Sequence, residues 1–169
     1  MTALPRRAFL SLGSNLGDRE AALRGARRAL AALPGTRLAA TSRVFETAPQ
    51  DFVEQPAFLN QVVCLETSLE PHELLSAAQA AETASGRRRG ARFGPRTLDV
   101  DILLMEGVES ADPSVTLPHP RMWQRAFVLV PLAELWSLAR GMPAVDVPAL
   151  AADLARRQAV AVYRGAEAQ

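Results

Sequence analysis

Asp99 and Asp101 stand two apart in the run Leu98-Asp99-Val100-Asp101-Ile102-Leu103-Leu104. Successive side chains of a strand point to opposite faces, so a strand here puts both carboxylates on one face and Leu98, Val100 and Ile102 on the other. Two carboxylates side by side among apolar residues are costly unless positive charge neutralises them. The preceding residues supply that charge: Arg87, Arg88, Arg89, Arg92 and Arg96 lie in a loop that Gly86 opens and Gly94-Pro95 bends into the strand. Guanidinium is permanently charged and grips phosphate with two parallel hydrogen bonds. Mg²⁺ takes one or two carboxylates plus substrate phosphates and water, and a carboxylate pair on one face can hold two ions. The chemistry indicated is metal-assisted handling of a polyphosphate. Spacing alone leaves the acid pair open between a metal site and two solvated aspartates. It leaves the arginines open between a phosphate-covering lid and a solvated or RNA-binding loop.

Other residues can serve such a site. His119 lies between Pro118 and Pro120, which restrain its backbone, and a held imidazole near phosphate can donate a hydrogen bond or move a proton; otherwise it is a surface-loop histidine. Phe58 precedes Asn60, and Phe127 follows Arg125. Either phenylalanine can be core, or can stack on a flat heterocycle whose edge Asn60 hydrogen-bonds. His72, at the start of a helix, reads as solvated, and Cys64 in Val62-Val63-Cys64-Leu65 reads as a small buried hydrophobe. No Gly-x-x-x-x-Gly-Lys-Ser/Thr, Gly-x-Gly-x-x-Gly or Gly-x-Ser-x-Gly motif occurs, which argues against a P-loop protein, a dinucleotide-binding fold and a serine hydrolase.

The elements that must position these groups follow from periodicity. Ala8 to Gly13 is a short apolar strand ending at a turn, and Asp18 caps a helix in which Leu23, Ala26, Leu30 and Leu33 form the inner stripe and arginines the outer face. Pro34-Gly35 stops it. Thr36 to Thr47 reads as one strand, Ala48 to Pro56 as a loop and Ala57 to Thr67 as another strand. Pro71 starts a second helix with Leu74, Leu75, Ala78 and Ala81 inward, and Gln79 and Glu82, three apart, are neighbours on one face. The acid-pair strand follows, then an irregular stretch from Asp112 to Pro120 and a partly helical run from Trp123 to Leu135. An amphipathic helix from Pro148 to Arg157 and a terminal strand from Ala159 to Tyr163 close the chain. The order β-α-β-β-α-β with additions predicts an α+β fold: a ferredoxin-like two-layer sandwich with a mainly antiparallel sheet.

The whole chain sets the bounds. Its 169 residues, 49% hydrophobic and 22% charged, fit one globular domain spanning 1–169. A net charge of +1 gives no bulk argument for nucleic acid or membrane, and a single cysteine excludes an internal disulfide and a cysteine metal cluster. Met1 to Arg7 lacks a signal peptide's apolar stretch and no run reaches the roughly 18 apolar residues of a membrane span, so a cytoplasmic protein is expected, and a monomer because nothing demands an oligomer.

Four blocks now stand in one order. They are Leu12-Gly13-Ser14-Asn15-Leu16-Gly17, Gln55-Pro56-Ala57-Phe58-Leu59-Asn60, Phe93-Gly94-Pro95-Arg96-Thr97-Leu98-Asp99-Val100-Asp101-Ile102-Leu103, and Leu117-Pro118-His119-Pro120 with Arg125-Ala126-Phe127. Over about residues 8 to 135 the chain resembles the 6-hydroxymethyl-7,8-dihydropterin pyrophosphokinases of folate biosynthesis. The resemblance implies transfer of the terminal two phosphates of ATP, as one unit, to the hydroxymethyl group of the dihydropterin, leaving AMP. It implies Asp99 and Asp101 as ligands of two Mg²⁺ ions, and Arg87 and Arg96 as catalytic phosphate-binding groups. Arg89 and Arg92 then join the lid over ATP, with Gln79, Glu82, His119 and Arg125 near the nucleotide and Ile102 and Thr116 beside adenosine. The pterin sits between Phe58 and Phe127, with Asn60 on its edge and Thr47, Ala48 and Gln50 offering further contacts. Phe58 and Phe93 depart from the family pattern, where some members carry tyrosine and tryptophan respectively. Two other readings fit the residues alone: a ferredoxin-like module gripping RNA with the arginine loop, and a different Mg²⁺-dependent ATP transferase on the same scaffold.

Overall fold

The structure is a computed structural model and describes residues 3–48, 54–86 and 97–165. Among these, six strands and four α-helices follow the order β1 (Arg6–Ser14), α1 (Arg19–Ala31), β2 (Thr36–Thr41), β3 (Phe45–Thr47), β4 (Phe58–Thr67), α2 (Pro71–Ala84), β5 (Asp99–Met105), α3 (Ala126–Leu135), α4 (Val147–Ala155) and β6 (Val160–Val162). One sheet runs β5-β1-β4-β3-β6, with β2 also paired to β4, and every pairing is antiparallel. Taking β2 and β3 as one broken strand gives the ferredoxin-like order expected from the sequence.

Local chemistry explains the helix starts. The Asp18 carboxylate accepts from the Ala21 N–H at 3.0 Å, and Glu70 and Glu73 form a reciprocal capping box with Pro71 in the first turn. Gly35 and Gly86, with φ of +58° and +88°, take the left-handed turns that follow α1 and α2.

The alternation along each strand splits the core in two. Leu10, Leu12, Val63, Leu65, Val100 and Ile102 face α1 and α2 in one buried cluster. Phe9, Val62, Cys64, Leu103 and Leu104 face α3 and α4 in another. Of the C-terminal additions, α3 and α4 thus form a layer on the sheet's second face, while β6 extends the sheet beside β3.

Two expectations need correction. Thr36 to Thr47 is two strands, because an extra residue in Ser42-Arg43-Val44 interrupts the regular pairing with β4, and bonds from Gln61 and Val62 to Ser42 bridge the break. The run from Trp123 to Leu135 is partly helical, as expected: a 3₁₀ turn at Met122–Gln124 is followed by α3, which carries Pro131 inside it. The arginines of α1 do not all point outward: Arg27 Nη1 donates to Gln61 Oε1 at 2.8 Å. His72, expected to be solvated, is exposed but lies 3.0 Å from the Asp112 carboxylate.

Candidate active site

The acid pair sits where the strand period put it. Asp99 and Asp101 are half-buried on the sheet face turned toward α3, while Leu98, Val100 and Ile102 are buried beneath them. β5 is an edge strand bonded to β1, with Asp99 opposite Gly13 and Asp101 opposite Ser11. Gly13 in turn faces Asn60, and Asn60 faces Phe45. A single transverse row therefore runs Asp99–Gly13–Asn60–Phe45 across four strands. Two strand spacings, about 10 Å, separate Asp99 from Asn60.

Gly13 leaves room for the amide in the middle of that row. A Cβ there would stand 3.0 Å from Asn60 Oδ1, which would have to give by a few tenths of an ångström, and in ordinary contact with the Phe58 ring at 3.8 Å. Asn60 is buried and its Nδ2 donates to Thr47 Oγ1 at 2.6 Å, which holds the amide in place. Thr47 opposes Phe58 on β4, so Thr47, Phe58 and Asn60 form one corner of the row. Ala48 is exposed beside them. Phe127, near the start of α3, packs against the second core cluster with the Arg125 guanidinium 5.4 Å from its ring centroid.

On the opposite edge of β5 the His119 N–H donates to the Leu103 carbonyl at 2.8 Å, so His119 lies alongside the acid-pair strand. Burial, reinforced by the charges of Arg125 and Arg121, holds its pKa below the usual imidazole value, which keeps the ring neutral at pH 7. Its Nδ1 accepts from the Arg121 N–H at 3.2 Å, so the remaining proton resides on Nε2, a neutral donor. Thr116 turns its hydroxyl onto the Asp112 carbonyl at 2.9 Å, and the Ile102 side chain is buried on the far face, which leaves the backbone of each as its free polar surface. Gln79 is exposed and Glu82 is buried on α2, in the helical layer beneath β5. The predicted residues Gln50, Arg87, Arg89, Arg92 and Arg96 lie outside the described residues.

Sequence reasoning missed the braces. Asn15 Nδ2 donates to Gln55 Oε1 at 2.8 Å and to the Pro56 carbonyl at 3.1 Å, and Arg19 Nη1 donates to the Ala57 carbonyl at 3.0 Å. These bonds hold the segment leading into Phe58. Two of the quoted blocks contain these residues, Asn15 in the first and Gln55 in the second, but only the fold brings them together.

Residues 9–137 match the model of the 7,8-dihydro-6-hydroxymethylpterin-pyrophosphokinase family. The chain belongs to this family. It is similar to the 2-amino-4-hydroxy-6-hydroxymethyldihydropteridine pyrophosphokinase of Methylorubrum extorquens, 48% identical over 129 residues that cover 76% of this chain and 82% of that one. The enzyme of the same name from Bacillus subtilis is 44% identical over 128 residues, covering 76% and 77%. Among solved structures, Plasmodium falciparum HPPK-DHPS shares the fold with a TM-score of 0.65 at 13% identity, covering 90% of this chain and 45% of that one. The chain thus spans less than half of that longer polypeptide. The match to the pyrophosphokinase family takes in every described residue of the transverse row and ends just past α3.

The donor set fits a hard divalent cation. Two carboxylates on one face offer oxygens only, and no group of three or more His, Cys, Asp and Glu able to hold a metal occurs among the described residues. Such a pair suits an ion that completes its shell with substrate phosphate and water.

Proposed function

We propose that the chain transfers pyrophosphate from ATP to the hydroxymethyl group of 6-hydroxymethyl-7,8-dihydropterin, giving AMP and the pterin diphosphate for folate synthesis. The observation that carries the reading is the row Asp99–Gly13–Asn60 in a chain of this family: an acid pair for the phosphate end and a fixed amide for the heterocycle end, joined across one sheet.

The hydroxymethyl oxygen attacks the β-phosphorus, the bond from that phosphorus to the α–β bridging oxygen breaks with its electron pair leaving on AMP, and the hydroxyl proton passes to solvent water. Asp99 and Asp101 would hold Mg²⁺, two ions with ATP, whose charge offsets that of the triphosphate and orients the attacking hydroxyl. His119, neutral with hydrogen on Nε2, donates to a phosphate oxygen without adding charge. Arg125 reaches the same phosphates while its guanidinium rests on Phe127. Phe58 and Phe127 stack on the two faces of the pterin, and Asn60, anchored on Thr47, reads its edge. Gln50, Arg87, Arg89, Arg92 and Arg96 complete the site in this reading, with Gln79 and Glu82 approaching around the β5 edge. The protein acts as a cytoplasmic monomer, one domain over 1–169, without nucleic-acid or membrane partners.

Incubation with ATP, Mg²⁺ and the hydroxymethyl-dihydropterin, followed by nucleotide chromatography, tests the reading. AMP and pterin diphosphate are expected in equal amounts. ADP as the product would make the chain an ordinary kinase and overturn it.

A further inference from the structure

Two parts of the pterin site in that reading, the Thr47 anchor of Asn60 on β3 and the Phe127 wall on α3, are tied to one short segment. Thr41 opposes Val63 and Phe45 opposes Asn60, so four steps along one strand match three along its partner. Ser42-Arg43-Val44 is a β-bulge, and it sets the register of everything after it. A one-residue slip there would turn Thr47 to the other face and separate it from Asn60.

The bulge is gripped from both sides of the sheet. From the α1 side, buried Gln61 accepts from Arg27 Nη1 at 2.8 Å and donates through Nε2 to the Ser42 carbonyl at 2.7 Å. From the α3 side, Glu134 accepts the Arg43 N–H at 2.8 Å and Arg43 Nε at 2.7 Å. Within the bulge, Ser42 Oγ accepts the Val62 N–H at 3.0 Å and donates to the Arg43 carbonyl at 2.7 Å.

Gln61 is otherwise misplaced. Its neighbours on the same face of β4 are Leu59, Val63 and Leu65, all fully buried in the core. An apolar side chain there would avoid the desolvation of an amide. Both ends of that amide are used, and one of them holds the bulge.

We propose that Gln61 and Glu134 are positioning residues for the pterin site: they clamp the bulge between α1 and α3, fixing Thr47 against Asn60 and β3 against the helix that carries Phe127. The inference rests on the proposed function for its ligand but not for its geometry, and the experiment separates the two. Gln61→Met keeps the volume and removes both hydrogen bonds; Glu134→Ala removes the second grip from the protein surface. Each variant is expected to raise the KM for the dihydropterin about tenfold, with KM for ATP and kcat within about twofold of the parent. Amide hydrogen exchange over Phe45–Thr47 is expected to quicken about tenfold while α4 is unchanged. Unchanged exchange in β3 in both variants overturns the clamp, whatever the enzyme's substrate proves to be. So does a KM rise shared equally by pterin and ATP, which is what general loosening produces. A parent protein that forms no AMP would overturn the functional reading, and the exchange result would still decide the clamp. If Gln61→Met does not fold, Glu134→Ala carries the same test.

Discussion

The two faces of the central sheet are made from the same strands and do different work. Toward α1 and α2, Leu10, Leu12, Val63, Val100 and Ile102 continue the core along the strands with little interruption. Toward α3 and α4 the face changes character partway along: Phe9, Cys64 and Leu104 are core, and then come Ser11, Gly13, Asn60, Asp99 and Asp101. Burying a large aliphatic side chain contributes about 1.5–3 kcal/mol, so stability resides in the continuous face and in the apolar end of the other. The polar end of the other face contributes little of that. It can carry half-buried carboxylates because the opposite face already holds the strands in place.

Substitutions on the two faces should therefore separate activity from stability. The largest effect is expected at the acid pair: Asp99→Asn or Asp101→Asn should lower kcat/KM by about a thousandfold or more, the scale of a lost charge-stabilising group, with Tm nearly unchanged. Near-normal kinetics in either variant would remove the metal role from that residue. On the other face, Leu10→Ala should cost about 2–5 kcal/mol in denaturant unfolding while the surviving folded fraction keeps its KM values. Gly13→Ala sits on the boundary: pressing a methyl against Asn60 should raise the KM for the pterin about three- to tenfold, with smaller changes in stability and in KM for ATP. Equal loss for both substrates would mean that Gly13 serves the strand and not the amide.

The pH dependence is a smaller and more specific effect. The folded-state pKa of His119 lies below its ordinary value of 6.5, mainly through burial and then through Arg125 and Arg121. As pH falls through about 6.5 the unfolded chain binds a proton that the folded imidazole resists, so stability declines toward acid and is fully present above that value. His119→Gln should flatten the urea-unfolding slope between pH 5 and about 6.5. An unaltered slope would assign it to other groups. Cys64 gives a companion control: burial pushes its thiol up to about 11, so a thiol reagent at pH 8 should modify it only after unfolding.

Much of this was legible in residue order. Period-two alternation put Asp99 and Asp101 on one face, Asp18 and Pro71 marked helix starts that the structure keeps, and the quoted blocks pointed to the family that residues 9–137 match. These are local properties: each depends on spacing within a turn or a strand. The break at Ser42 was not legible, because Thr36 to Thr47 alternates well enough to be one strand and the partners that compensate the break are Gln61 and Val62. Arg27 looked like one more outer arginine of α1, yet it reaches inward to Gln61.

What the sequence by itself determined is the inventory and its local geometry: which residues share a face, where helices begin, which groups can bind metal, phosphate and a flat ring. Only the tertiary structure decided that Asp99 and Asn60, thirty-nine positions apart, lie on one row with Gly13 between them. The physical reason is that antiparallel register is a property of paired strands. It is set by bulges, buried amides and close backbone approaches, none of which is visible in a strand read alone.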